Sequence, residues 1–286
     1  MRSPVLLVVA VTVVAGSTLA GCGATANPLA RVLAAAKATS SQSALAHLSL
    51  AGSSAFGARY DLVLAPAAFA FPSRIGYERV DLPPLADQKP RRLFLVFLPT
   101  KVYLQPLLAG GAALPGGKTW VSAAFTGPRS VEVDFPRFAA QVEGLNVQLL
   151  LDEILWGTAS ASLVGEPVVD HVPLSEYSVS VDLERVLSGA QAPSAGATRA
   201  AVRQELAAPG GRRFARISVW VDGPGRIVML EAASAGPGLG RVSISLSGFG
   251  ATPSTTGLPA AATVAPVSAV GPLAGGAGWP WIVGAG

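Results

Sequence analysis

Cysteine occurs once in the 286 residues, histidine twice, and charged residues make up only 13%. A single thiol excludes a disulfide framework and a thiolate metal cluster. His47 sits on the polar side of an alternating stretch and His171 in a turn-like one, too few and too scattered for the three or four ligands of a zinc site. A Ser-His-Asp arrangement needs one of them beside an activated serine, and no Gly-x-Ser-x-Gly elbow occurs. No metal, cofactor or catalytic residue is therefore expected. The 21 Lys and Arg against 17 Asp and Glu are too balanced and dispersed for a nucleic-acid footprint. Long apolar runs are also missing after the first twenty or so residues, because Pro, Gly, Ser or a charge interrupts every candidate membrane helix.

What is abundant is apolarity. Half of the residues are hydrophobic, and an exported chain so poor in charge needs a large core or an apolar cavity. Export is read from the start of the chain. Arg2 gives a positive n-region, Val5 to Val14 an apolar h-region shorter than a membrane span, and small residues lead into Leu19-Ala20-Gly21-Cys22. This is the pattern of a bacterial lipobox, whose cysteine takes a diacylglycerol thioether and becomes the first residue after cleavage. Cys22 is thus the expected lipidation site, residues 1–21 the expected signal peptide and 22–28 a short tether.

Several periodicities follow. Leu29, Val32, Leu33 and Ala36 form a helical stripe, with Asn27 as cap and Pro28 at the first helical position. Leu48 and Leu50, then Leu62 and Leu64, alternate with polar residues as strands do. Leu93 to Leu98 is apolar on both faces and turns at Pro99-Thr100-Lys101, predicting a hairpin strand covered on both sides. Phe135 to Gly144 and Leu145 to Trp156 read as helical. The latter leaves only Asn146, Gln148, Asp152 and Glu153 as a narrow polar edge, a pattern that fits a plain core helix as well as one lining a cavity. Strands are then expected over Ser162 to Asp170, around Tyr177, Val179 and Val181, around Ile217, Val219 and Val221, over Arg226 to Ala232, and around Val242, Ile244 and Leu246. Gly189 to Thr198 reads as a flexible connection and Ala200 to Ala208 as a helical turn or two. Residues 251–286, rich in Pro, Gly and Ala without a charge, read as a low-complexity, disordered tail.

Two glycine-rich stretches resemble nucleotide loops without having their context. Gly116-Gly117-Lys118-Thr119 misses the P-loop spacing by one residue, and Gly236 to Gly240 lies between two strands. Asp152 and Glu153 diverge by about 100° on their helix and cannot face each other as acid and base.

The lipobox, the helix and strand of Arg31 to Gly52, the segment Gly144 to Val181, and the closing run Ile217 to Asp222, Gly225-Arg226-Ile227 and Arg241 to Phe249 together resemble the LppX/LprAFG lipoproteins of actinobacteria. That family is similar in fold to the LolA and LolB carriers. The resemblance covers most of residues 22–250. Departures are Asp170-His171-Val172-Pro173, the proline-punctuated Pro66 to Pro90, and the C-terminal extension.

The resemblance implies an α+β domain over residues 29–250, in which a strongly curved antiparallel sheet, a half-barrel, wraps around helices and leaves an apolar cavity. It also implies a non-enzymatic, membrane-anchored extracytoplasmic lipoprotein that binds an acylated lipid or glycolipid and carries it across the envelope, in contact with the membrane surface through Cys22 and with a membrane transporter as a further partner. Leu48, Leu50, Leu62, Leu64, Leu149, Ile154, Val179, Val219 and Ile244 are the candidate lipid-binding wall. The alternatives are a surface lipoprotein with a filled core, acting as a structural or accessory subunit of a membrane complex, and a lipid-modifying enzyme.

Overall fold

The computed structural model describes residues 27–53, 59–63, 67–82, 91–105, 114–124, 146–207, 214–234, 241–251 and 258–266. Cys22 and its lipobox, Leu64, and the helix expected over Phe135 to Gly144 lie outside these residues.

The chain begins with α1 (Pro28–Ser40), capped as the sequence predicts. Asn27 Oδ1 accepts from the Leu29 amide at 3.0 Å and Pro28 occupies the first turn, where its missing N–H costs nothing. Strands β1 (Ser43–Ser53), β2 (Arg59–Val63), β3 (Ala67–Ala70), β4 (Ile75–Leu82), β5 (Arg91–Phe97), β6 (Lys101–Gln105) and β7 (Trp120–Ala124) follow. Then come α2 (Val147–Gly157), β8 (Thr158–Gly165), the small hairpin β9 (Val168–Val169) and β10 (Val172–Pro173), β11 (Ser175–Val181), α3 (Leu183–Gly189), α4 (Gly196–Ala207), β12 (Phe214–Val221), β13 (Ile227–Ser234), β14 (Arg241–Ser247) and β15 (Val264–Pro266).

All strands but β9 and β10 join one 13-stranded sheet. Its order is β15-β7-β6-β5-β4-β3-β1-β14-β13-β12-β11-β8, with β2 also paired to β1. Every pairing is antiparallel except β15 with β7. The two ends of that order are different strands, so the sheet is open, as a half-barrel requires and a closed barrel does not. The fold is α+β: β3 to β7 and β11 to β14 are two antiparallel meanders, joined through β1, which pairs with both β3 and β14.

One face of the sheet is buried nearly throughout. Tyr177, Val219, Leu230, Ile244 and Leu48 stand opposite one another from β11 to β1, each 1% exposed or less. A second row runs from Leu246 to Ala46 and Ala67, and another from Leu95 to Leu104, Val121 and Ala265 beyond β4. Val32, Ala35 and Ala36 of α1 and Leu150, Leu151 and Ile154 of α2 cover this face and share its apolar cluster. Thr39, at the last turn of α1, accepts the Ile227 amide at 2.8 Å and fixes the helix to the start of β13.

Three expectations are corrected. The strand apolar on both faces, β5, is covered at Val96 but leaves Phe94 38% exposed, so its outer face is covered only in part. The connection expected over Gly189 to Thr198 is largely structured. It follows α3, whose first amides are capped by Asp182, and contains a 3-10 turn at Pro193–Ala195 that leads into α4. The tail is not wholly irregular: Leu258 to Pro266 is described, and β15 adds a parallel strand to the edge of β7. Its approach is held by Lys118, whose Nζ donates to the Ala262 carbonyl at 2.6 Å.

Candidate functional site

The helix α2 is buried around its whole circumference up to Ile154, although polar residues occupy one side. Asn146 caps it by accepting the Gln148 amide at 3.1 Å. Asp152 is 1% exposed and meets Arg74 in a two-pronged ion pair, Nη1 to Oδ1 at 3.2 Å and Nη2 to Oδ2. Thr198 Oγ1 donates to Oδ2 and accepts from Arg74 Nη2 at 3.0 Å, while Gln148 Nε2 donates to Oδ1 at 2.9 Å. Burial pushes the Asp152 carboxyl upward, and the Arg74 charge with these hydrogen bonds offsets part of that rise.

Arg74 reaches this position from an unusual backbone. It ends the 3-10 turn Phe71–Ser73 in the left-handed region, with φ 57°. Its guanidinium also stacks 5.5 Å from the Trp156 ring on the same helix. The ion pair therefore ties together the β3–β4 turn, α2 and α4. Charged groups so dry cost desolvation that only complete pairing offsets, so this is a positioning device for α2. The sequence offered no sign of it, because Arg74 and Thr198 lie 78 and 46 residues from Asp152.

The candidate wall residues divide. Leu48, Ile154, Val179, Val219 and Ile244 meet in one apolar cluster on the inner face. Leu50 and Leu62 pair in register between β1 and β2, and Leu50 also stands opposite Val242 of β14. Leu149 is elsewhere: it points from α2 to Ala197 and Ala201 of α4, in a separate apolar contact. Leu64 lies outside the described residues.

A second buried acid was not singled out from the sequence. Glu78 of β4 is 3% exposed, stands opposite Leu95, and shares the inner face with Gly76 two residues earlier. Gly76 is needed there, because an added Cβ would lie 2.4 Å from the Phe69 ring. Phe69 stacks between Phe71 and Phe97 at centroid distances of 5.7 and 6.3 Å. The sequence carries no signal that Glu78 turns inward, because β4 also holds Arg79 and Asp81 and does not alternate cleanly.

The closing run of the sequence forms a lock at one end of the sheet. Asp222 accepts from the Arg226 amide at 2.7 Å and from its guanidinium at 2.7 and 3.0 Å, across a turn with Gly225 at φ 81°. Arg226 in turn lies 4.3 Å from the Phe249 ring centre. These residues hold β12, β13 and the end of β14 together. His47 and His171 are both exposed, and no cluster of three or more metal-binding side chains occurs among the described residues. Gly116-Gly117-Lys118 is followed by a strand, β7, and not by the helix of a phosphate loop.

The chain is similar to two solved mycobacterial structures. The structure of LprF from Mycobacterium bovis matches with 15% identity and a TM-score of 0.42, covering 82% of this chain and 97% of that one. LppX from Mycobacterium tuberculosis matches with 13% identity and a TM-score of 0.38, covering 78% and 95%. A LolA-superfamily protein from Nitrosomonas europaea matches with 7% identity and a TM-score of 0.28, covering 78% and 92%. No protein-family model matches the chain, and no curated protein sequence does. The fold described above rests on strand order and helix placement.

Proposed function

We propose that this protein is a lipoprotein, anchored through Cys22 on the extracytoplasmic face of the membrane, that takes the acyl chains of a lipid or glycolipid against the inner face of its sheet and carries them across the envelope. The observation that carries this reading is the unbroken apolar face from β11 to β1, facing helices whose own apolar sides are buried in it. Transfer of an acyl chain from water is worth about 0.8 kcal/mol per methylene, so such a face needs no polar machinery to hold one. The process is reversible partition, with no bond made or broken.

The row also ends in a way that suits entry from one side. Tyr177 pairs with Leu163 of β8, which continues the apolar row to the sheet edge and is 48% exposed. An acyl chain sliding under this edge strand meets apolar surface from its first contact.

The test is native mass spectrometry with organic extraction on the full chain carrying Cys22→Ser, purified from a lipid-containing host. Acyl lipid is expected to co-purify. Val219→Trp, inside the cluster, is expected to reduce it, while Leu149→Trp, outside the cluster, is expected to leave it. A bare protein that also ignores added phospholipid and glycolipid overturns the carrier reading.

A second reading, an accessory subunit of a membrane complex, is favoured by one feature. Val164 at the end of β8 and Val168 and Val172 in the β9–β10 hairpin are 58%, 68% and 47% exposed, apolar side chains open to a protein partner.

A further inference from the structure

We propose that Glu78 is a recognition point for a hydroxyl group on the bound lipid, so that the interior selects hydroxyl-bearing lipids over equally apolar ones lacking a hydroxyl. This rests on the lipid-binding reading above and adds the chemistry of the cargo.

Three observations carry it. Glu78 is 3% exposed, yet neither carboxyl oxygen has a hydrogen-bond partner among the described residues. Buried polar groups are almost always paired, because an unpaired one forfeits its hydration without return. The contrast with Asp152 is direct: that carboxyl, equally buried, is met by Arg74, Thr198 and Gln148.

Glu78 is also placed where a ligand would be. It stands in the middle of the inner face, opposite Leu95, and the strand positions beside it belong to the same apolar cluster that α1 and α2 cover. Phe69 closes down on Gly76 at one side, so the carboxyl is bounded by aromatic and aliphatic surface. The group is the one polar interruption in the row formed by Leu95, Leu104, Val121 and Ala265.

The environment also selects the ligand chemistry. Burial pushes the Glu78 carboxyl well above the usual carboxylate range, which favours its neutral form. A neutral carboxyl offers one donor and an acceptor side by side. A lipid hydroxyl offers the same two functions and satisfies both. An ammonium or phosphate would bring a bare charge into apolar surroundings, at far greater desolvation cost.

The experiment presents the full chain with phosphatidylcholine vesicles containing trace dioleoylglycerol or its O-methyl ether, which differ only at the hydroxyl. Lipid recovered with the protein after removal of the vesicles gives a ratio. Wild type is expected to favour dioleoylglycerol by about fivefold to tenfold, the worth of one buried hydrogen bond. Glu78→Leu is expected to bring the ratio to about one through loss of dioleoylglycerol while recovery of the ether stays, and Glu78→Gln, which still donates and accepts, to keep a preference. Circular dichroism melting of both variants confirms that they fold. Equal recovery of the two lipids by wild type overturns the role of Glu78 and leaves lipid binding standing. Recovery of neither overturns lipid binding itself, and this inference with it.

Discussion

Two buried carboxyls at similar depth have opposite circumstances. Asp152 is held in a complete set of partners, and removing one of them strands the rest. Arg74→Met is expected to cost about 3–5 kcal/mol, the usual effect of leaving one half of a buried pair. Arg74→Met with Asp152→Leu is expected to recover most of that loss, since the double change removes both charges. A double-mutant cycle by urea denaturation measures the difference. Glu78 behaves oppositely. Burial raises its folded carboxyl well above the usual carboxylate range, so the native state binds the proton more tightly than the unfolded chain does. Its protonation therefore favours folding fully only below the unfolded value, and that contribution is lost as pH rises through the folded value. Glu78→Leu is expected to stabilise the protein at pH 7 by about 1–3 kcal/mol, with a smaller gain near pH 4. Urea midpoints at the two pH values read the sign, and a loss of stability at neutral pH would show that Glu78 has partners.

At the scale of elements, the joint between α2 and β8 is the tightest place. A Cβ at Gly157 would lie 2.4 Å from Val186 Cγ2, 2.8 Å from Val181 Cγ1 and 3.0 Å from the Asp182 carbonyl. The last is backbone and cannot rotate away. Gly157→Ala is expected to cost about 1–3 kcal/mol by overpacking, seen as a lower thermal midpoint with unchanged helix content. Gly223, where an added Cβ meets nothing within 4 Å, is the control. The elements themselves were largely legible in the sequence. Asn27-Pro28 marks the start of α1, the Asp222 to Gly225 turn separates β12 from β13, and alternating Ile217, Val219 and Val221 gives the buried face of β12. Such signals are local, and local physics suffices to read them. What could not be read depends on partners far along the chain. The sequence marks the polar edge Asn146, Gln148, Asp152 and Glu153 but not what meets it, because Arg74 and α4 lie far along the chain. The composition of the tail hides β15, because its stability comes from the edge of β7 and the Lys118 contact and not from its own residues. Leu149 was grouped with the wall because α2 is apolar nearly all round, and pattern alone does not say which apolar side meets the sheet.

For the molecule as a whole, the direction of α1 relates the expected anchor to the exposed apolar surface. The C-terminal end of α1 is fixed by Thr39 to the end of the sheet that carries the Asp222 to Arg226 turn. Gly165 pairs with Glu176, and Ser175 with Val221, which places the β9–β10 hairpin at this same end. If Cys22 is the anchor, the six residues 22–27 can span at most ~22 Å before α1, a helix of ~20 Å whose far end lies with the hairpin. With the tether extended along the axis of α1, Val164, Val168 and Val172 lie on the side away from the anchoring bilayer and are expected to add little to membrane attachment. Cys22→Ser is accordingly expected to release the protein into the soluble fraction on ultracentrifugation of vesicles, while Val164→Glu with Val168→Glu in the wild-type background leaves attachment unchanged. If Cys22→Ser stays on vesicles and the added glutamates then release it, the hairpin is the membrane contact and Cys22 is not the anchor. If neither change releases it, attachment belongs to the segment containing Trp279 and Trp281, whose indoles favour the interface. The first of those results would reverse the orientation inferred from α1. The exposed valines would no longer be available to a partner beyond the membrane surface.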